Sequence, residues 1–135
     1  MSKLATIGEA AEISGLSAKM IRHYESIGLL PKATRTDAGY RLYNPLQLKL
    51  MGIIKQSKKL GFSLNQTQSL IGLWQNPNRA SREVKQLAEE HLLEIDEKIK
   101  ELKQMKTSLK ELADNCNADD NASCTILNGL ATGSE

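Results

Sequence analysis

Ile21-Arg22-His23-Tyr24-Glu25-Ser26-Ile27-Gly28-Leu29-Leu30, followed after a short gap by Gly39-Tyr40-Arg41-Leu42-Tyr43, is the stretch whose reading decides the fold. Ser17 stands as an N-cap ahead of its first half, and Gly28 closes it, so a helix is expected from about 18 to 27. Ile21 and Tyr24 are three apart and face inward together. Upstream, Thr6-Ile7-Gly8-Glu9 is a capping box: the Thr6 hydroxyl accepts from the Glu9 amide while the Glu9 carboxylate reaches back. The helix it opens should bury Ile7, Ala10, Ala11 and Ile13 in part, before Ser14-Gly15-Leu16 makes a tight turn. Two short helices joined by a glycine-containing turn form a helix-turn-helix candidate. In the second half, Asp37-Ala38-Gly39 reads as a hairpin loop with Gly39 at positive φ, flanked by short β-forming segments over 35–43. The expectation is a small β-wing.

Working outward, Asn44-Pro45 starts a third helix, with Asn44 as N-cap and Pro45 in the first helical position. It should run to about Leu60 and stop at Gly61, with Leu46, Leu50, Ile53, Ile54 and Leu60 as its apolar set. Ser63-Leu64-Asn65-Gln66 is a further capping box, opening a helix to about Gln75 with Leu64, Thr67, Leu70, Ile71 and Trp74 along one side. Asn76-Pro77-Asn78 then breaks the chain. From about Ser81 to Ala113 neither proline nor glycine occurs. Ala88, Ile95, Leu102 and Leu109 recur every seven residues, and Val84, His91, Met105 and Leu112 fill most of a second seam, Lys98 being the exception. Leu92 and Ile99 widen the stripe. A helix of that span is about 50 Å long, more than the preceding small domain can cover, so pairing with a second copy is expected. After Ala113 the chain turns polar, with a cysteine near each end of the polar stretch, and Thr125 to Leu130 suits a brief terminal helix. The fold class expected is therefore mainly α: a winged helix-turn-helix domain over 1–75, a hinge over 76–80, a dimerisation helix over 81–113, and a loop with a short terminal helix over 114–135.

Charge divides the same way. Residues 1–62 carry ten Lys/Arg against four Asp/Glu, a balance of +6, while 63–135 carry eight against twelve, a balance of −4. A basic first half points to a polyanionic partner. No apolar run approaches the length needed to span a bilayer. The first residues have a lysine but no apolar stretch after it, so a cytoplasmic location is expected. In a reducing cytosol a structural disulfide between the two cysteines, Cys116 and Cys124, is disfavoured.

Ile13, Ser14-Gly15-Leu16, Ile21-Arg22-His23-Tyr24-Glu25, Gly28-Leu29, Gly39-Tyr40-Arg41 and Leu60-Gly61-Phe62-Ser63 together resemble the winged helix-turn-helix of the MerR family of transcription regulators. The likeness continues through the long helix to the cysteine loop, where the chain is similar to the copper-efflux type. What the resemblance implies is a homodimer on promoter DNA. The second helix enters the major groove and the wing lies on the backbone beside it. Ser17, Lys19 and Arg22 would then reach DNA from that helix, Arg35, Tyr40 and Arg41 from the wing, and Lys58 and Lys59 from the end of the third helix. Arg22 and Lys19 are the nearest to base edges, and Tyr24 belongs to the core. The resemblance further implies RNA polymerase as a partner on the promoter, held with a spacer too long until the dimer bends and undertwists the operator. Metal would order the loop 116–124 and dock the short helix carrying Ile126, Leu127 and Leu130.

Two thiols with seven residues between them, and neither histidine nearby in sequence, are too few donors for a tetrahedral zinc site. They suit a soft d¹⁰ ion in linear coordination: Cu(I) foremost, with Ag(I) or Au(I) open. A helix beginning at Thr125 would turn backbone amides toward the residual negative charge. Ser81 fits that choice by resemblance, because the family's divalent sensors carry cysteine near the start of the dimerisation helix and the copper type carries serine; an N-cap role for Ser81 is the simpler alternative. Asn117 departs from the proline of the copper type, which leaves the copper-against-gold preference open. A Cys116–Cys124 thiol–disulfide switch is the other reading of the pair. An enzyme is not expected, since no phosphate loop and no Ser/His/Asp set occurs. A drug sensor would need a ligand domain after residue 113, and a ligand-free DNA-binding coiled coil remains a further class.

Overall fold

The computed structural model of the protein describes residues 3–116 and 124–132. The chain divides into two compact units, 1–87 and 88–135.

The first unit begins with strand β1 (Ala5–Thr6) and helix α1 (Ile7–Ser14). The Thr6 capping box forms as expected, with the Glu9 amide donating to Thr6 Oγ1 at 3.2 Å and the Thr6 amide donating to Glu9 Oε1 at 3.0 Å. Helix α2 (Ala18–Ser26) follows the turn, capped by Ser17, whose Oγ accepts from the Met20 amide at 3.1 Å. Strands β2 (Thr34–Arg35) and β3 (Arg41–Tyr43) form the wing, with Gly39 at φ 88° in its turn. Left-handed backbone of this kind costs every residue but glycine, which is why the tip carries one.

Strand β1 was not visible in the sequence. It pairs antiparallel with β3, Ala5 opposite Tyr43 and Thr6 opposite Leu42, so that β3 lies between β1 and β2. Two residues are too few to show an alternating pattern, and the strand exists because β3 offers it a ladder.

Helices α3 (Pro45–Lys59) and α4 (Leu64–Gln75) start on the capping boxes of Asn44 with Gln47 and Ser63 with Gln66. The core joins Ala10, Leu16, Ile21, Tyr24, Leu29, Leu30, Tyr43, Leu50, Met51, Ile54 and Ile71. Ile21 and Tyr24 face inward as their spacing requires. Four apolar assignments fail. Ile13 is 66% exposed: Ile7, Ala10 and Ala11 set the buried face of α1, and Ile13 lies off it. Leu46, Leu60 and Leu64 are also exposed, at the starts of α3 and α4 and just past the end of α3. Met51, three residues before Ile54 and four after Gln47, shares their face and is fully buried instead.

Helix α5 (Ser81–Asp114) continues into the second unit. Its apolar stripe is open: Leu92, Ile99, Leu102, Met105 and Leu109 are each exposed. Helix α6 (Thr125–Ala131) ends the described chain. Asn117 and the rest of the polar stretch 117–123 lie outside the described residues, as do residues 133–135. No helix among the described residues is long and apolar enough to cross a membrane.

Candidate nucleic-acid interface and thiol pair

Arg22, Arg35 and Arg41 meet around one groove of about 370 Å³, which Lys32, Glu25, Ser26 and Ala33 complete. Four cationic side chains thus face a single carboxylate, an arrangement suited to a phosphate backbone. The arginines reach it because α2 and the wing are tied together by Glu25. Its Oε2 accepts from the Tyr43 hydroxyl at 2.8 Å and lies 3.3 Å from Arg41 Nε, and its Oε1 accepts from the Ala33 amide at 2.7 Å. Glu25 is only 8% exposed and Tyr43 is fully buried. Burial, followed by the bond to Glu25, pushes the Tyr43 phenol well above the usual tyrosine range, against the opposing pull of Arg41 and Arg22. Glu25 holds the wing against α2, a role the sequence reading did not find. Its signal was present, since a carboxylate on the inward side of a short helix next to Tyr24 demands buried partners.

The other expected DNA residues stand on the surface but outside this groove. Lys19 is exposed on α2, Tyr40 at the wing is 72% exposed, and Lys58 and Lys59 are exposed in the last turn of α3. Ser17 spends its oxygen on the helix cap. Arg35 is partly engaged, its Nη1 donating to the Gly39 carbonyl at 2.8 Å and so bracing the turn of the wing. Tyr24 is buried in the core.

Ser81 is the first residue of α5 rather than its N-cap. It lines an apolar cavity of about 550 Å³ with Ile53, Leu70, Trp74, Arg79, Val84 and Lys85.

In the second unit Cys116 follows the end of α5 and Cys124 precedes α6, with the two Sγ atoms 3.8 Å apart. A disulfide needs about 2.05 Å, so both thiols are free. Backbone amides at the start of α6, Leu127 foremost and then Ile126, hold the Cys124 thiol below the ordinary thiol range, with the Cys116 thiol adding to the effect. Among the described residues no group of three or more His, Cys, Asp or Glu side chains is placed to share an ion. Two convergent sulfurs, one of them with its thiol pKa lowered, offer soft donors to a thiophilic metal ion.

Residues 6–43 match the family model described as MerR family regulatory protein, and residues 48–112 match the one described as MerR, DNA binding. The heavy metal-dependent transcription regulator 2 of Rhizobium meliloti is 42% identical, the match covering 95% of this chain and 87% of that protein. The HTH-type transcriptional regulator CueR of Escherichia coli is 37% identical over 93% of each chain. Among solved structures, the transcription regulator PbrR691 of Ralstonia metallidurans in complex with lead(II) superposes with a TM-score of 0.78 at 30% identity, covering 93% of this chain and 98% of that one.

Proposed function

The chain belongs to the MerR family of transcription regulators, and we propose that it works as a homodimer on promoter DNA, activating coinage-metal resistance genes when Cys116 and Cys124 take up one monovalent ion. Cu(I) is the foremost ion, with Ag(I) and Au(I) of the same chemistry. The observation that carries this reading is the 3.8 Å approach of the two sulfurs with no third donor grouped beside them among the described residues. Two thiolates satisfy a linear d¹⁰ ion and leave a tetrahedral divalent ion short of ligands. The lead(II) of the Ralstonia regulator belongs to that protein; here Ser81 stands where the family's divalent sensors supply a further cysteine.

The DNA side rests on Arg22, Arg35 and Arg41 around the cationic groove, with Lys32 added to the set and Glu25 holding the wing. Lys19 and Ser17 on α2, Tyr40 on the wing, and Lys58 and Lys59 on α3 complete the proposed interface. The open stripe on α5 supports a second copy, since contiguous exposed leucines along a long helix mark an interface. The ion supplies two strong bonds that hold the C-terminal segment in one arrangement. The dimer responds through the difference in metal affinity between its two states, and the operator reads that difference as bending and undertwisting. Polymerase then engages a promoter brought into register.

Transcription from the protein's own promoter, measured with Cu(I), Ag(I), Au(I) and Zn(II) in wild type and in Cys116→Ser and Cys124→Ser, tests the reading. The expected result is induction by monovalent ions alone, abolished in both variants with operator binding retained. Induction by oxidant without metal would favour the thiol–disulfide switch, for which the same sulfur approach is the supporting observation.

A further inference from the structure

Helix α6 is seven residues long and carries Gly129 in its interior. Glycine there disfavours the helix relative to alanine, so its presence asks for a packing reason. At Gly52 and Gly72, two other helical glycines, a Cβ would meet nothing within 4 Å. At Gly129 a Cβ would be driven into Leu112 Cδ2, with Leu112 Cγ and Cδ1 each 3.5 Å away, so that the half-buried Leu112 side chain would have to turn out of the contact. The backbone of α6 thus sits directly on the last turns of α5 at this one point.

Two further contacts lie in register with it. Thr125 Oγ1 donates to the Asn115 carbonyl at 3.0 Å, and Cys116 Sγ meets Cys124 Sγ at 3.8 Å. The pairs Cys116 with Cys124, Asn115 with Thr125, and Leu112 with Gly129 form an antiparallel series of three rungs. Thr125 and Gly129 are four apart and share one face of α6. The rung farthest from the sulfurs sets how closely α6 lies along α5, and Cys124 immediately precedes α6.

We propose that Gly129 is a positioning residue for the thiol pair: its missing side chain lets α6 seat against Leu112, and that seat holds Cys124 Sγ within reach of Cys116 Sγ before any ion arrives. The inference rests on the metal reading above for its consequence in sensing, and on geometry alone for its effect on the sulfurs. Without the seat the two thiolates pair only after the helix has been gathered in, and that ordering is charged against metal affinity.

Gly129→Ala, Leu112→Ala and the double variant test it in the full-length dimer. The first readout uses no metal: the equilibrium between the Cys116–Cys124 dithiol and its disulfide in a glutathione buffer, which reports the effective concentration of one sulfur at the other. Gly129→Ala lowers that effective concentration by about tenfold, the scale of an overpacked contact, and the double variant returns it to the Leu112→Ala value. The second readout is the Ag(I) concentration for half-saturation against a competing chelator, which rises about tenfold in Gly129→Ala and recovers in the same way, while metal-free operator binding stays unchanged. Helix propensity alone predicts the opposite sign, a response tightened by up to about fivefold. Tightening, no change, or a defect that Leu112→Ala fails to rescue would overturn the proposal. Cys116→Ser measured in parallel separates the two claims: if it leaves Ag(I) uptake intact the metal reading fails, whatever the glutathione equilibrium says of Gly129.

Discussion

Replacing Glu25 with Ala removes the carboxylate through which α2 holds the wing. Three donors lose their partner: the Tyr43 hydroxyl, the Ala33 amide and the Arg41 guanidinium. Tyr43 is fully buried, so its hydroxyl finds no water in exchange. A buried donor left unsatisfied costs about 1–3 kcal/mol, which applies to the Tyr43 hydroxyl; the Ala33 amide is half-buried beside the groove and costs about 1 kcal/mol or less. The Arg41 side chain keeps 30% of its surface in solvent, so its loss adds no more than about 1 kcal/mol. The expected destabilisation is about 3 kcal/mol, a large fraction of the roughly 5–15 kcal/mol typical of a folded domain. Glu25→Gln keeps one oxygen as acceptor and gives up the charge, for about 2 kcal/mol. Urea unfolding at a fixed protomer concentration measures both values. A double-mutant cycle with Tyr43→Phe then isolates the hydroxyl–carboxylate pair, with a coupling of about 1–2 kcal/mol expected. Under the proposed DNA contacts, operator affinity should fall at urea concentrations well below the transition, because Arg41 loses its anchor on Glu25 before the fold is lost. A Glu25→Ala protein within 1 kcal/mol of wild type, with normal operator binding, would refute the reasoning.

Other outcomes follow from the same geometry. The Tyr43 phenol is raised in the fold, so the folded state keeps its proton where the unfolded chain loses it. The stability this provides is complete below the ordinary tyrosine pKa of about 10 and declines as pH climbs beyond it. Alkaline unfolding profiles of wild type and Tyr43→Phe should therefore diverge above that pH and run parallel below it, and parallel profiles throughout would contradict the burial argument. Arg22→Ala should weaken operator binding with and without metal and flatten its salt dependence by about one counterion; an unchanged titration removes Arg22 from the interface. Leu102→Lys places a charge in the open stripe of α5, and sedimentation should show dissociation toward monomer, whereas an intact dimer would move the interface elsewhere.

Much of the first unit was legible because its signals are local. Four helix starts carry their own caps in Thr6, Ser17, Asn44 and Ser63, and each cap forms as its residues require. Gly39 marks the wing for the same reason. What escaped depends on partners distant in the chain. Strand β1 has no pattern of its own and is made by β3. Ile13 is apolar yet exposed because it lies off the buried face of α1, and Leu46, Leu60 and Leu64 because element ends lie beyond the reach of the packed face, while Met51 is taken into the core by its neighbours. Glu25 looked like one polar letter in a helix until Tyr43, eighteen residues on, closed over it. At the thiol pair the residue types were legible and the distance was not: nothing in the spacing of Cys116 and Cys124 says that α6 doubles back onto α5. Gly129, read as part of a brief terminal helix, takes its meaning only from Leu112.

Under the proposed function, Cys116 and Cys124, with no third donor grouped beside them among the described residues, select a soft monovalent ion. The most direct measurement is a competitive titration of the reduced protein with Cu(I) and Zn(II), followed by thiolate-to-metal charge-transfer absorbance and metal counting. The account predicts one Cu(I) for each Cys116–Cys124 pair, undisplaced by excess Zn(II), and no uptake once both cysteines are serine. Preferential zinc loading, or equal Cu(I) uptake by the protein lacking both thiols, would contradict it.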